Sequence, residues 1–371
     1  MLKQELARLA KGLLSDAVPG APPVDYTVSP ASLEDAAAVL GFASQHQLRV
    51  QFWGGGTHQA MGHPVAPDMI MTSKRLDKII DWQPADLTIV AQAGVRAADL
   101  EAQLEQRGQT AVLPETPGSA TLGGIVAAGQ SGWRRLRYGP TRDRMLEVKL
   151  ATGDGRLIRG GGRQVKNVTG FDIPRLVAGS FGSLGLIAEV CLKLWPLSAD
   201  RAMLHVDDPV QALRHAYRPY AVIETGQSAT VYLAGSAEEI GAQAERIGGE
   251  LVAGHRWPEP LPGRTELALR VPAGAVGRFV GLVRNLGVGF QAAHGVGEIR
   301  FVADTVDPQE IVSLRATAES IRGALVVARA PTDTPVEPWG APPDSVDLQR
   351  RVKAAFDPMG IANPGILPGG L

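Results

Sequence analysis

The feature that most constrains this chain is a run of three glycines, Gly54–Gly56, between an apolar segment and a Thr-His pair in QFWGGGTHQAMG. Glycine costs backbone entropy and offers no side chain to pack, so such a run indicates a sharp turn or a backbone that another group must approach closely. A second cluster, PGSATLGGIVAAGQSG, spans residues 117–132. Converging main-chain N–H groups bind anions. Two such segments predict a clamp for a diphosphate and a flat ring; two ordinary turns are the alternative.

Two common phosphate-binding motifs do not account for these glycines. A Walker loop requires a Gly-Lys dipeptide, and the sequence has none. A Rossmann fingerprint requires a glycine five positions after the first, where Gln59 stands after Gly54. The segment GVGFQA at residues 287–292 fits the relaxed pattern but leads into a predicted strand. The predicted phosphate-binding site is therefore neither a Walker loop nor a Rossmann fingerprint.

Composition narrows the class of protein. The chain has 371 residues, of which 44% are hydrophobic and 20% charged, and this length predicts two domains. The formal net charge of −1 provides no basic field for nucleic acid. The single cysteine, Cys191, excludes an internal disulfide and a cysteine-ligated zinc or iron–sulfur site. Its apolar neighbours predict that the thiol is buried.

The first residues do not resemble a secretion signal. Lys3, Glu5, Arg8 and Lys11 interrupt every apolar run, and no uncharged stretch approaches the ~18 apolar residues of a membrane span. We therefore expect a cytoplasmic protein. Attachment to the periphery of the inner membrane through a partner is the open alternative.

The hydrophobic pattern predicts an α+β protein in three parts. Residues 1–198 alternate short strands with helices and form a domain of two α+β subdomains. Residues 199–343 repeat a β-α-β rhythm, which predicts a smaller cap domain with an antiparallel sheet and helices on one face, close to a ferredoxin-like layer. Residues 344–371 form a helix and a tail. Ser32 and Ser236 are predicted to cap helices.

The two glycine segments, followed by RYGPTRD, GGGRQVKNVTGFDIPRL and GSFGSLGLIAEVCLKLWP, resemble the PCMH-type FAD-binding domain of the vanillyl-alcohol oxidase superfamily. The resemblance spans residues 26–196 and returns near the C-terminus in FDPMGIANPG, which would bring the tail back to the flavin domain. Within that superfamily, the chain is most similar to the FAD-binding subunits of bacterial glycolate oxidases. These motifs are specific in combination, although each is weak alone.

The resemblance implies that three segments bind FAD. The loop at residues 54–59 would wrap the pyrophosphate, residues 118–124 would run along the flavin and ribityl chain, and the strand from residue 185 would meet the adenine. The residues implied are Gly54, Gly55, Gly56, Thr57, His58, Gln59, Pro117, Gly118, Ser119, Ala120, Thr121, Gly123, Gly124, Ala127, Gly185 and Ile187.

The resemblance also bears on how FAD is attached. Some members of the superfamily bind FAD covalently through a histidine directly after paired glycines. Here Thr57 occupies that position and His58 is one residue late. A shift of one residue in a tight loop redirects the side chain, so we expect non-covalent FAD.

The function implied is that of an FAD-binding subunit in a glycolate oxidase-type 2-hydroxy-acid dehydrogenase complex. Electrons would pass through its flavin to a partner, and the implied partners are a catalytic flavoprotein subunit and an iron–sulfur subunit. A stand-alone FAD-dependent oxidase of an alcohol or hydroxy acid is one alternative. A non-catalytic assembly module that has lost FAD is another.

No catalytic residue is assigned from the sequence. Four histidines of the cap, His205, His215, His255 and His294, are scattered over separate elements, and no two have the spacing of metal ligands. We therefore expect no metal site. His294 is left open between a role at the flavin and a turn residue that enters a strand.

Overall fold

The computed structural model describes residues 2–9, 18–163, 170–331 and 336–371. Within these ranges the helices are α1 Leu2–Leu9, α2 Leu33–Gln45, α3 Ala97–Glu105, α4 Leu122–Ala127, α5 Arg135–Tyr138, α6 Ile173–Val177, α7 Pro209–His215, α8 Ala237–Ile247, α9 Val276–Asn285, α10 Pro308–Glu319 and α11 Val346–Phe356. The strands are β1 Tyr26–Val28, β2 Val50–Trp53, β3 Met69–Thr72, β4 Ile79–Gln83, β5 Thr88–Gln92, β6 Gln109–Thr110, β7 Met145–Thr152, β8 Leu157–Gly161, β9 Gly185–Lys193, β10 Trp195–Pro196, β11 Asp200–Val206, β12 Ala221–Thr225, β13 Ser228–Gly235, β14 Glu250–Ala253, β15 Glu266–Arg270, β16 Phe290–Ala293, β17 Glu298–Val302 and β18 Ala324–Arg329. Helices and strands alternate along the chain, which confirms the predicted α+β class.

A small parallel sheet carries the first glycine loop. Its strand order is β1-β3-β2, and β3 is parallel to both neighbours. The connecting helix α2 begins where the sequence predicts, because the Ser32 hydroxyl accepts a hydrogen bond from the Asp35 N–H at 3.1 Å. All four residues of β2 are buried, so this strand is held firmly and delivers the chain into the loop.

A five-stranded antiparallel sheet supports the second glycine segment. Its strand order is β4-β5-β9-β7-β8. The β7–β8 hairpin turns at residues 153–155, and Gly155 there has a φ of +82°, which favours glycine. Helices α3 and α4 cover the sheet through buried side chains that include Leu100, Leu122 and Ile187. The sheet and α4 together position residues 117–132.

The eight strands β11 to β18 form one antiparallel sheet in the order β14-β11-β13-β12-β16-β17-β15-β18. Two successive βαββαβ units produce this order, one from β11 to β14 and one from β15 to β18. They join side by side through β12 and β16. Each unit has the ferredoxin-like arrangement. The predicted ferredoxin-like layer is therefore present, and it occurs twice.

The two faces of this cap sheet have different neighbours, because successive side chains of a strand point to opposite faces. Val231 and Leu233 face the helices α7 and α8. Tyr232 belongs to a second cluster with Tyr220, which packs against Trp133 and Tyr138 of the flavin-domain segment. The cap therefore presents its helix-free face toward Trp133 and Tyr138.

Residues 357–366 return to the small parallel sheet. Ala362 forms a parallel bridge with Val50, and the Asn363 N–H donates to the Val50 carbonyl at 2.9 Å. Lys353 of α11 secures the return, because its ammonium donates to the Ser183 and Ala362 carbonyls and to Asp357 at 2.9–3.0 Å. The tail thereby lies beside the first glycine loop.

No described helix combines the length and the apolar character needed to cross a bilayer. The domain boundaries at residues 198 and 343 stay predictions.

Candidate cofactor site

The first glycine loop, residues 54–59, presents main-chain N–H groups that nothing in the protein uses. The loop follows β2 and its residues are partly buried. Within the described part of the chain, no hydrogen bond takes the N–H of any of these six residues as its donor. Main-chain N–H groups away from bulk water normally have a partner. Six successive free donors therefore indicate a ligand with several acceptor oxygens.

The Gln59 side chain holds this loop in shape. Its Nε2 donates to the Phe52 carbonyl at 3.0 Å, and its Oε1 accepts from Gln51 Nε2 at 3.0 Å. Both partners lie on β2, so the amide closes the loop back onto the strand. The free N–H groups are therefore held by the fold before any ligand arrives, which reduces the ordering cost of binding.

The glycines of the two segments are needed partly because the segments touch each other. A Cβ at Gly54 would overlap the Thr121 hydroxyl, and a Cβ at Gly55 would overlap the Ser119 carbonyl. Gly56 has a φ of +74°, a conformation that other residues rarely adopt. Gly124 differs, because outside its own helix a Cβ there would meet only Thr121 Oγ1, at 3.2 Å. The close approach inferred from the sequence is thus made by protein at Gly54 and Gly55, whereas a Cβ at Gly124 would press on one hydroxyl group only.

A cavity of about 90 Å³ lies where the two glycine segments meet β9. It brings together eleven of the residues that the resemblance implied, from three separate parts of the sequence. They are Gly54, Gly55, Gly56, Thr57, His58, Gln59, Gly123, Gly124, Ala127, Gly185 and Ile187.

The other implied residues lie to one side of this cavity. An open groove of about 790 Å³ continues from it, and Trp53, Gly54, Gly55 and Ser73 line both. Ser119 and Thr121 line the groove. The remaining three implied residues, Pro117, Gly118 and Ala120, line neither space. Pro117 and Gly118 are exposed on the surface and Ala120 is buried in the core.

Asn363 is a residue of the cavity wall to which the sequence analysis gave no role. Its side chain accepts from the Phe52 N–H at 2.9 Å and donates to the Phe181 carbonyl at 2.6 Å. Phe52 precedes the glycine loop and Phe181 precedes β9, and both line the cavity. The Asn-Pro-Gly motif was visible in the sequence, but the contact joins residues 311 positions apart, which no local pattern reveals.

His58 lies in the wall of the cavity, and its imidazole ring is turned toward Thr57. Its Nδ1 is 2.9 Å from the Thr57 hydroxyl oxygen. Burial lowers the pKa of His58 to about 4, and the positive charge of Arg300 on β17 of the cap adds to the effect. The imidazole is therefore neutral at physiological pH.

Acidification should destabilise the fold through His58. His58 takes up a proton near pH 6.5 in the unfolded state and only near pH 4 in the folded state. The contribution of the neutral His58 ring to the free energy of unfolding is therefore fully present above pH 6.5 and declines as the pH falls toward 4. Between pH 6.5 and pH 5 the loss is about 2 kcal/mol. Urea unfolding at the two pH values should show this difference in wild type and a smaller one in His58→Gln. His215→Gln, which changes an exposed histidine of the cap, serves as the control; equal pH differences in all three proteins would contradict the assignment.

His294 and Cys191 both lie away from the cavity. His294 Nε2 is 2.7 Å from Glu224 Oε2 where β12 meets β16, and its side chain is buried. Arg284 holds the other oxygen of Glu224 at 2.6 Å. Cys191 is buried on β9, as predicted, and burial raises its pKa to about 11. Among the described residues, no three His, Cys, Asp or Glu side chains are grouped as metal ligands.

Comparison with known proteins identifies the cofactor. Residues 24–161 match the family model described as "FAD binding domain". The chain is 29% identical over 338 residues to glycolate oxidase subunit GlcE of Escherichia coli, a match that covers 84% of this chain and 90% of that protein. It is 31% identical over 176 residues to glycolate oxidase subunit GlcD of Bacillus subtilis, over 46% of this chain and 37% of that protein.

A solved structure shows the same fold. The BBE-like 1 protein of Physcomitrella patens superimposes with a TM-score of 0.69 at 14% identity, and the match covers 99% of each chain. The resemblance expected from residues 26–196 is thereby confirmed for the FAD-binding domain and its fold. The cofactor of this chain is FAD, and its relatives identify it as an FAD-dependent oxidoreductase. The individual FAD contacts stay predictions.

Proposed function

We propose that the chain is the FAD-binding subunit of a 2-hydroxy-acid dehydrogenase complex of the glycolate oxidase type. The observation that carries the cofactor site is the set of six free N–H donors at residues 54–59, which face a cavity also lined by glycines of the second segment. The similarity to subunit GlcE over 90% of that protein supports the class of complex. It also supports the expectation that FAD works here alongside a partner.

The residues present fit FAD. The N–H groups of residues 54–59 suit the anionic pyrophosphate, and Gln59 holds them in place. Gly124 has no side chain to fill the cavity that it lines, whereas a larger residue at this position would extend into it. When bound, FAD would supply the redox chemistry, namely the uptake of two electrons and their release to an acceptor. The task of this chain is to hold the cofactor and to limit access of water.

The acceptor has to lie outside this chain. The single thiol, Cys191, is buried and has a pKa raised to about 11, so it supplies no ligand set for an iron–sulfur cluster. Electrons therefore leave for a partner protein or a small acceptor. We propose a partner that carries an iron–sulfur centre, with a second flavoprotein subunit that oxidises the hydroxy acid.

Anaerobic flavin reduction tests this division of labour. The isolated chain should release FAD on acid precipitation, and its flavin should be bleached slowly or not at all by glycolate or D-lactate. The complex reconstituted with its partner subunits should be bleached rapidly. We expect this because the cofactor cavity holds no base–metal set for a hydroxy acid, and its histidine, His58, has a pKa of about 4.

Two outcomes would reject the proposal in different ways. Rapid and complete bleaching of the isolated chain would favour the stand-alone oxidase. A purified chain that binds no FAD even when FAD is added would favour the assembly module.

A further inference from the structure

A second cavity, of about 630 Å³, lies beside the cofactor cavity and is lined mainly by positive charge. The two cavities share Ala128 and Phe181 in their walls. Among the described residues, six charged side chains line the second cavity, and five of them are basic. They are Glu298 and the basic residues Arg135, Arg142, Arg175, Arg270 and Lys353. Because the whole chain has a formal net charge of −1, the positive charge is concentrated here.

Three of these arginines are also exposed to solvent, so they lie on the rim of the cavity. They are Arg142, Arg175 and Arg270. Arg175 is compensated by Asp143 at 3.2 Å and by Asp172 at 3.4 Å. Arg142 lies 4.0 Å from the same oxygen of Asp143 that Arg175 holds more closely. In the described part of the chain, the guanidinium group of Arg270 has no hydrogen bond and no ion pair within 4.0 Å. The rim therefore carries one free cation and one that is weakly compensated.

Two leucines are exposed on the same rim. Leu348 of α11 is 53% exposed and Leu176 of α6 is 37% exposed, and both line the cavity. A dissolved anion needs only the cations, whereas an interface between proteins combines arginine with apolar contacts. The mixture of arginine and leucine is therefore better suited to the surface of another protein than to a small ion.

The position of the rim fits a protein that accepts electrons. The two cavities have a common wall at Ala128 and Phe181, so a protein seated on the rim lies next to the cofactor cavity. Electron-transfer partners meet through small interfaces, and complementary charges accelerate their association. A cationic rim selects a partner with an acidic surface.

We propose that this rim is the docking surface for the electron-accepting, iron–sulfur partner, which presents an acidic face to it. Carboxylates of the partner pair with Arg142 and Arg270, whose guanidinium groups donate in a planar fork that suits them. Apolar side chains of the partner cover Leu176 and Leu348. The inference rests on the proposed function and names the surface through which electrons leave this chain.

Binding of the FAD-loaded chain to its partner subunits tests the charges of the rim. The double variant Arg142→Gln, Arg270→Gln should weaken binding about tenfold at low ionic strength. Its difference from wild type should shrink as salt is added, because salt screens exposed charges. Arg278→Gln changes an exposed arginine of α9 outside the cavity and should bind like wild type.

The leucines have their own arm of the experiment. Leu348→Gln should weaken partner binding about fivefold, because less apolar surface is buried, and this loss should persist at high salt. Glutamine is nearly as good a helix former as leucine, so α11 is preserved. Val312→Gln is the matched control, since Val312 is 55% exposed on α10 and lies outside the cavity.

Small redox probes separate the charge of the rim from the docking of a protein. Photoreduced FAD in the isolated chain is reoxidised without oxygen by ferricyanide, an anion, or by hexaammineruthenium(III), a cation. Two ions of either probe take up the two electrons of one reduced flavin, and its protons pass to the buffer. The double variant should slow ferricyanide about tenfold at low ionic strength and should not slow the cation. Leu348→Gln should leave both rates unchanged.

Three results would overturn the docking surface and leave the proposed function in place. One is equal partner affinity in wild type, the double variant and Leu348→Gln. Another is loss of bound FAD in the double variant, which would assign the arginines to the cofactor. The third is a slower reaction with ferricyanide while partner affinity is unchanged, which would make the rim a site for small anions only. If the wild-type chain binds no partner subunit, the proposed function fails and the docking surface fails with it.

Discussion

Replacing Asn363 with alanine should lower the affinity for FAD by about tenfold to a hundredfold. The side chain satisfies two main-chain groups on opposite walls of the cofactor cavity, the Phe52 N–H at 2.9 Å and the Phe181 carbonyl at 2.6 Å. Asn363 is only 5% exposed, so water cannot easily take its place. Without it, the two walls lose their common partner, and FAD has to bind to a wider and less ordered cavity.

The experiment compares dissociation constants for FAD, measured by flavin fluorescence on the apoprotein. Asn363→Asp keeps the acceptor for the Phe52 N–H but loses the donor to Phe181, and it tolerates the φ of +39° at this position. Because it also places a buried negative charge opposite the Phe181 carbonyl and near the anionic pyrophosphate, we expect a loss of affinity at least as large as in Asn363→Ala. Asn285→Ala, at an exposed position on helix α9 of the cap, is the matched control. Wild-type affinity in Asn363→Ala would show that the bridge between the walls does not serve the cofactor.

The sequence predicts those parts of the fold that depend on neighbouring residues. The Ser236–Glu239 capping box is present at the start of α8, because its hydrogen bonds join residues three positions apart. The ferredoxin-like rhythm was also recognisable, since each strand and helix has its own periodicity. Strand β4 is hard to predict from the sequence, because its residues are half-exposed at a sheet edge and show no clear alternation.

The candidate sites were only partly predictable from the sequence, because some of their residues are contiguous and others lie far apart along the chain. The glycine loops stand out because they are contiguous, and most of their residues meet in one cavity. Asn363 acts across long separations, so only the fold reveals its partners, Phe52 and Phe181. The sequence shows the cap's arginines as dispersed, whereas the structure places Arg270 in one cavity wall with Arg135.

Gly124→Val should abolish measurable FAD binding while leaving the apoprotein folded. Outside its own helix, a Cβ at this position meets only the Thr121 hydroxyl, at 3.2 Å, and the rest of the side chain would occupy a cavity of about 90 Å³. Helix α4 itself is not harmed, because glycine is already among the poorest helix formers. Gly124→Ala should therefore weaken FAD binding less and change apoprotein stability little, because the gain in helix propensity offsets the tight contact of its Cβ with Thr121 Oγ1.

Gly55 provides the contrast that separates a cofactor effect from a folding effect. The sequence suggests the same role for both glycines, but a Cβ at Gly55 would overlap the Ser119 carbonyl. Gly55→Ala should therefore lower the melting temperature of the apoprotein, which Gly124→Ala should not. Gly277→Val, in an open position on α9 of the cap, controls for placing valine in a helix. If Gly124→Val retains wild-type affinity for FAD, the cofactor does not pass through this cavity, and the free N–H groups of residues 54–59 must serve another ligand.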